Sequence, residues 1–433
     1  MLTASPDWHD ELAPGQRKDA SGNLLLGTIP AAALASVYGT PLLAIDLDVV
    51  DAAVARLVRS ATDVGAEVSY AAKAFATIEF LRHLARHPVG VDVCSLGELL
   101  TAERAGFSAD RITLHGAGKS DEELHAACAG RIGRVAVDGL DELERLAGLS
   151  RNGAPVNVML RLNAGIEAGG HAFVRTGGDD TKFGIHARDE GAAATLLRNN
   201  HALRFVGLHA HVGSQIEQTA VYTATASVLV AAAERFSRLG LHTARVVIGG
   251  GFAVASQPLG ESLDVAATLA TAAKFIERAA SERGLEVPQL GIEPGRAVVA
   301  LAGTTLYRVL AVKRQSSRTF VVVDGGVAEN PRPALYGAHH HVVAATPLHG
   351  DVEKITLCGR SCENDELGTV MLARDVEAGT LLAMCSTGAY TYSMAGNYNR
   401  FPRPAVVGIS NGSHRLLARR ESIEDVLRND VIA

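Results

Sequence analysis

From residue 65 to residue 295 the chain repeats one pattern, a short apolar run ending in glycine or a polar residue and then an amphipathic stretch. Eight runs fit: "EVSYAAK" (67–73), "GVDVCS" (90–95), "RITLHG" (111–116), "RVAVDG" (134–139), "VNVMLRLN" (156–163), "RFVGLHAHVG" (204–213), "ARVVIGGG" (244–251) and "QLGIEPG" (289–295). Between them lie "SLGELLTAERAG", "DELERLAGL" and "ATLATAAKFIERAASERG", with helical spacing of apolar residues, and Ile78 to His83 reads as a helix after the first run. Near-continuous apolar strands alternating with helices mean a parallel sheet covered on both faces. Eight units in roughly 230 residues imply a closed (β/α)8 TIM-like barrel, placed at residues 46–300, rather than an open sheet.

Beyond residue 300 the pattern changes. "TTLYRVLAVKRQ", "TFVVVDGGV", "VEKITLCGRSC", "GTLLAMCSTGAY" and "PAVVGISNG" are short, alternating and joined by Gly, Pro and Asn turns. That is antiparallel β, a sandwich or barrel domain of residues 301–433 joined by 1–45, with "PLLAIDLDVV" as a candidate extra strand.

Composition narrows the partners. The chain has 433 residues, 47% of them hydrophobic and 20% charged, with a net charge of −6, which argues against nucleic acid or an acidic membrane surface. It has no run of 18 apolar residues and a polar, acidic N-terminal stretch, so neither a membrane span nor a secretory signal is expected. Cys94, Cys128, Cys358, Cys362 and Cys385 form no CxxC pair, which fits a reducing cytoplasm. The histidines of "AHHH" (338–341) read as a surface loop, and no metal is expected.

Active-site groups of such barrels collect at the C-terminal strand ends. Here those ends carry Lys73, Asp92, His115, Asp138, Arg161, His211, Gly249 to Gly251 and Glu293. "HGAGKS" (115–120) resembles a phosphate-cradling P-loop only superficially, because Thr113 stands where the first glycine belongs. "VVIGGGF" lets backbone N–H groups approach an anion closely. "HAHVGSQ" adds an imidazole at His211 and a hydroxyl at Ser214. A buried carboxylate at Glu293 needs a cation, either Arg296 or a protonated ring nitrogen of a ligand. Lysine, anion cradle, imidazole and carboxylate together describe a site for pyridoxal 5'-phosphate (PLP).

The motifs "YAAKAF", "HAHVGSQ", "IGGGF", "EPGR", "RPALYGA", "CEND" and "GAYTYSMAGNYN" are similar, in the same order, to those of the fold-type III PLP-dependent decarboxylases. The resemblance runs from about residue 36 to 410 and implies an alanine racemase-like pairing of barrel and β domain. It implies that Lys73 holds PLP through its amine, that His211 stacks on the ring, and that Glu293 binds the ring nitrogen. Ser214, Gly249, Gly250, Gly251, Gly295 and Arg296 would hold the phosphate, and Tyr390 would touch cofactor and substrate.

By the same resemblance Arg296, Arg332 and Tyr336 grip a distal carboxylate, Glu363 pairs with a distal ammonium, and Cys362 acts in protonating the carbanion. Those two ends are the chemistry of meso-2,6-diaminopimelate, so decarboxylation to L-lysine and CO2 is the implied reaction. Cys362 and Glu363 would act across the interface of a homodimer. "CENDELG" and the spacing after "NYN" depart from the family pattern, which leaves open a related decarboxylase acting on another diamino or carboxy-amine substrate. A racemase on the same barrel would need a second base opposite Lys73, and a non-enzymatic homologue would be expected to lose Lys73, Glu293 or Cys362. The Gly-rich segment 165–185 is a candidate lid by composition and position.

Overall fold

Each of the eight runs forms a strand: Glu67–Ala71, Gly90–Val93, Ile112–Leu114, Arg134–Val137, Val156–Arg161, Leu203–His209, Arg245–Val247 and Gln289–Ile292. In this computed structural model, which describes residues 12–150, 154–166, 168, 181–255 and 262–431, they pair in parallel in chain order. The last strand returns to the first, Gly291 opposite Glu67, and closes the barrel. Most of segment 165–185 lies outside the described residues.

Side-chain caps set where several of the barrel helices begin. The Ser95 hydroxyl accepts from the Glu98 N–H at the start of Leu96–Ala105, and Thr77 does the same for Ile78–Leu84. Ser120 and Glu123 form a capping box at Asp121–Cys128, so the serine of "HGAGKS" starts a helix. The lysine of that motif is equally structural. Lys119, 2% exposed, donates from Nζ to Glu142 Oε1 at 2.7 Å and to the carbonyls of Ala136 (2.7 Å) and Gly116 (3.0 Å). Burial lowers its pKa, but three acceptors at hydrogen-bonding distance favour the charged ammonium.

The barrel interior is not filled by branched side chains alone. A cavity of 430 Å³ enters from the N-terminal end, past Glu67, Arg134 and Arg245, and reaches Ser69, Asp92, Thr113 and Glu293. The two arginines there both bond Glu67, at 3.2 and 2.7 Å. Polar lining and room for water suit the burial of charged groups above it.

The described residues form two compact units, this barrel unit within 54–253 and 262–295 and a second unit within 12–53, 254–255 and 296–431. The second unit is built on a sheet whose long strand, Gly303–Arg314, pairs with Leu42–Asp46, Thr319–Val323 and Leu381–Cys385. "PLLAIDLDVV" thus does supply a strand. Two buried apolar clusters flank the sheet, one around Leu34, Leu42 and Leu306, the other around Tyr307, Val321 and Leu382.

The sheet is mixed rather than antiparallel. Leu42–Asp46 runs parallel to Ala405–Ser410, and Thr319–Val323 parallel to Val352–Cys358. Alternation along a strand encodes which face is buried, not the direction of its neighbour. Glu366–Ala373, Val342–Ala344 and Ser413–Ala418 are further strands not recognised from the sequence. No helix among the described residues is long and apolar enough to cross a membrane.

Replacing Lys119 with Met leaves Glu142 buried without its partner and is expected to cost about 3 kcal/mol in urea unfolding. The double variant Lys119→Met/Glu142→Leu should recover most of that loss.

Candidate active site

Lys73 stands in a single 3-10 turn, Ala72–Ala74, directly after the first barrel strand. It is exposed between two alanines that are 1% and 0% exposed. The Tyr70 hydroxyl donates to the Phe75 carbonyl at 2.8 Å beneath the turn, and the Phe75 and Phe80 rings meet edge to face at 4.8 Å. Gly295 lies against the same turn: a Cβ there would sit 3.0 Å from Ala74 Cβ and 3.2 Å from the Ala71 carbonyl. Anchored backbone with one outward amine is what a reactive lysine requires.

The glycine run after the seventh strand is packed too closely for side chains. A Cβ on Gly250 would lie 2.0 Å from the Glu293 carbonyl oxygen, and one on Gly251 would lie 2.2 Å from that of Gly213. Gly249 and Gly251 have φ of 74° and 82°. The Gly250 carbonyl accepts from the buried Tyr222 hydroxyl at 3.1 Å, and its N–H donates to His211 Nδ1 at 3.3 Å. His211 Nδ1 is therefore an acceptor and its ring neutral. Burial drives the pKa of His211 well down, and the Lys73 and Arg161 cations lower it further. Ser214 follows on the same turn, partly buried.

Glu293 ends the eighth strand among imidazoles. His209 Nε2 lies 2.9 Å from Oε2, His115 Nε2 lies 3.3 Å from Oε1, and the two rings meet at 5.0 Å, 62° apart. Burial alone would raise the pKa of Glu293, but His209 and His115 overcome it and hold the carboxyl well below its ordinary range. Burial likewise opposes charge on His115, and Glu293 with Asp92 outweighs it, pushing its pKa up to about 9. Burial lowers His209, which shares the same carboxylate but carries no second acid. Asp92, 3.7 Å from His115, accepts from the Ser69 hydroxyl at 2.6 Å, and burial followed by Glu293 raises its pKa. The assembly is an ionised carboxylate with one cationic imidazole, lodged in the barrel.

These groups fit PLP. The glycine run leaves a cradle that any Cβ would fill, the neutral imidazole offers a ring face, and Glu293 stays anionic as a protonated ring nitrogen needs. His115, His209 and Glu293 are also close enough to form a metal-ligand set. Asp138 and Arg161, on neighbouring strand ends, pair at 3.3 Å.

The sequence reading overlooked His209, which sits two residues before His211 and ends the sixth strand. The His-x-His spacing was the available signal, since residues two apart on a strand share a face.

In the second unit Arg332, Tyr336, Tyr390 and Arg296 form one cluster. The Arg332 guanidinium lies 5.0 Å from the Tyr336 ring and 5.5 Å from the Tyr390 ring, and Arg296 lies 4.8 Å from Tyr390. Arg332 is 9% exposed, and burial plus the Arg296 cation lower its pKa to about 10. It has no carboxylate partner among the described residues, an arrangement that favours an anionic ligand.

His340 and His341 are buried, not on a surface loop, because the segment leads into the strand Val342–Ala344, which pairs with Leu381–Cys385 in the sheet. His340 Nδ1 bonds the Cys385 carbonyl at 3.2 Å, and burial lowers its pKa to about 4. Cys362 and Glu363 lie together on an exposed loop of this unit. All five cysteines are free thiols.

A closed eight-strand barrel with such a lysine, glycine cradle and carboxylate defines a class, the barrel decarboxylases that use pyridoxal. The family model described as "Pyridoxal-dependent decarboxylase, pyridoxal binding domain" matches residues 50–300. A diaminopimelate decarboxylase of Actinosynnema pretiosum subsp. auranticum is 42% identical over 99% of this chain and 98% of its own, and that of Bacillus subtilis (strain 168) is 37% identical over 96% and 97%. The crystal structure of M. jannaschii diaminopimelate decarboxylase in complex with L-lysine matches with a TM-score of 0.89 and 26% identity, covering 98% of this chain and 99% of that one. The chain belongs to the diaminopimelate decarboxylase family.

Two outcomes follow from this geometry. His115 in the cofactor-free protein should titrate near pH 9 by NMR, and Glu293→Gln should bring that value sharply down. Because the folded value lies above the ordinary 6.5, the stabilisation from this pair is complete below about pH 6.5 and lost as pH rises through about 9. Gly250→Ala should lower PLP affinity at least about tenfold in a titration followed by visible absorbance, since its methyl group meets backbone that cannot yield.

Proposed function

We propose that this chain removes the carboxyl group from one amino-acid end of meso-2,6-diaminopimelate, giving L-lysine and CO2 with PLP as its cofactor. The observation that carries the substrate is Arg332, a buried guanidinium without an acid partner among the described residues, backed by Arg296 and two tyrosines. A substrate lacking a distal carboxylate would leave that cation uncompensated. Family membership supports the reaction and the cofactor.

Lys73 is the amine that would hold the cofactor. Gly249, Gly250, Gly251, Gly295, Ser214 and the Arg296 backbone would hold its phosphate, and neutral His211 would offer its face to the ring. Bound PLP supplies an acceptor for the electron pair left on Cα when the bond to the carboxyl group breaks and CO2 departs. Glu293, held ionised by His209 and His115, would keep the ring nitrogen protonated and so favour that acceptance.

Cys362 returns a proton to Cα, Glu363 receives the distal ammonium, and Tyr390 and Tyr336 close around the substrate. The reading includes a homodimer in which Cys362 and Glu363 serve the partner's site, and a cytoplasmic enzyme.

The test is turnover of purified protein with PLP and meso-diaminopimelate, with L-ornithine and L-arginine in parallel. Lysine and CO2 should form from meso-diaminopimelate alone. Arg332→Ala should raise KM for it roughly 100-fold, and Glu293→Gln should lower kcat roughly 100-fold with a smaller effect on PLP affinity. Comparable turnover of L-ornithine would refute the substrate assignment.

A further inference from the structure

The "CENDELG" stretch, which departs from the family pattern, and the "GNYN" motif lie side by side in the structure. Two hydrogen bonds join them, and a third contact links the residues that flank them. The Cys362 N–H donates to Asn399 Oδ1 at 3.2 Å, the Tyr398 hydroxyl donates to Glu363 Oε1 at 2.6 Å, and the Arg360 guanidinium lies 4.3 Å from the centre of the Phe401 ring.

The second stretch is braced from behind. Asn397 Nδ2 donates to the Phe401 carbonyl at 3.0 Å and to Glu421 Oε2 at 2.6 Å, and Arg400 pairs with Asp430 at 2.8 Å. Asn399 and Arg400 have φ of 51° and 60°, a conformation that non-glycine residues avoid unless their surroundings impose it.

This bracing adds little to stability. Glu363 and Tyr398 are both exposed, Tyr398 by 41%, and a hydrogen bond between exposed side chains barely offsets the freedom they lose. Its consequence is direction. Hydrogen bonding to Glu363 raises the Tyr398 pKa, so the phenol keeps its proton and acts as donor. One lone pair of Glu363 Oε1 is thereby taken, which fixes the rotation of the carboxylate and leaves Oε2 without a bond from Tyr398.

We propose that Tyr398 is a positioning residue for specificity, holding Glu363 in the one orientation that receives a primary ammonium at the far end of the substrate. The inference deepens the proposed function, since it rests on Glu363 as the ammonium partner. It locates ammonium selectivity in a pair of loops, with the "NYN" tyrosine setting the acid of "CEND".

The experiment compares holoenzyme variants on two ligands, meso-diaminopimelate as substrate and 2-aminopimelate, which keeps both carboxylates but lacks the second amine, as competitive inhibitor. The visible band of bound cofactor confirms that each variant is folded and loaded. Tyr398→Phe should raise KM for meso-diaminopimelate about tenfold, leave kcat within about twofold, and leave the Ki of 2-aminopimelate unchanged. The double variant Glu363→Gln/Tyr398→Phe should be no worse than Glu363→Gln alone, because the tyrosine acts only through the acid.

An equal rise in both constants would make Tyr398 merely structural and overturn the proposal, as would no change in Tyr398→Phe where Glu363→Gln raises KM. If Glu363→Gln itself has no effect, the ammonium assignment falls and the proposal with it, while decarboxylation stands.

Discussion

A carboxylate inside a barrel has to be matched by positive charge, and Glu293 is the group around which this barrel is organised. Its two oxygens face His209 and His115, and His115 in turn faces Asp92, which Ser69 holds. Five strands contribute to this one cluster, so its charge balance depends on each of them keeping its register. A shift by one residue would turn those side chains outward and leave the acid with no compensation. The polar cavity beneath, with Gly90 and Gly291 along its walls, provides room that close-packed branched side chains would deny.

The glycine run depends on the same eighth strand. The Glu293 N–H donates to the Gly249 carbonyl at 2.8 Å, and the Glu293 carbonyl crowds Gly250. The residue that sets the electrostatics of the site therefore also shapes its anion cradle, and His211 joins the two through the Gly250 N–H. Neutral His211 and ionised Glu293, opposite outcomes of burial, arise because one has cations near it and the other has imidazoles able to accept protons.

The second unit uses the converse device. Arg332 and Arg296 share the Tyr390 ring, so cations are held in an aromatic setting where an anionic ligand gains more than it would in water. Nearby, His340 is kept neutral by burial, which avoids a third positive charge beside the pair. Tyr390 itself has φ of 60°, a backbone position that a bulky residue holds only under constraint from its surroundings.

What the sequence determined by itself was the barrel and the chemical inventory. Eight apolar runs with helical intervals admit little else, and Lys73, His211, the glycines and Glu293 stand at strand ends where their positions could be counted. Tertiary structure decided who meets whom. The partners of Glu293 come from strands far apart in the chain, and His209 gained significance only once barrel closure placed it at 2.9 Å. The direction of the Ala405–Ser410 pairing was likewise invisible, because a strand's pattern records its buried face and not its neighbour. The burial of His340 and the contact between "CEND" and "NYN" belong to the same class. Periodicity is local and survives in a string of letters, whereas charge compensation and hydrogen bonding depend on distances that exist only after folding.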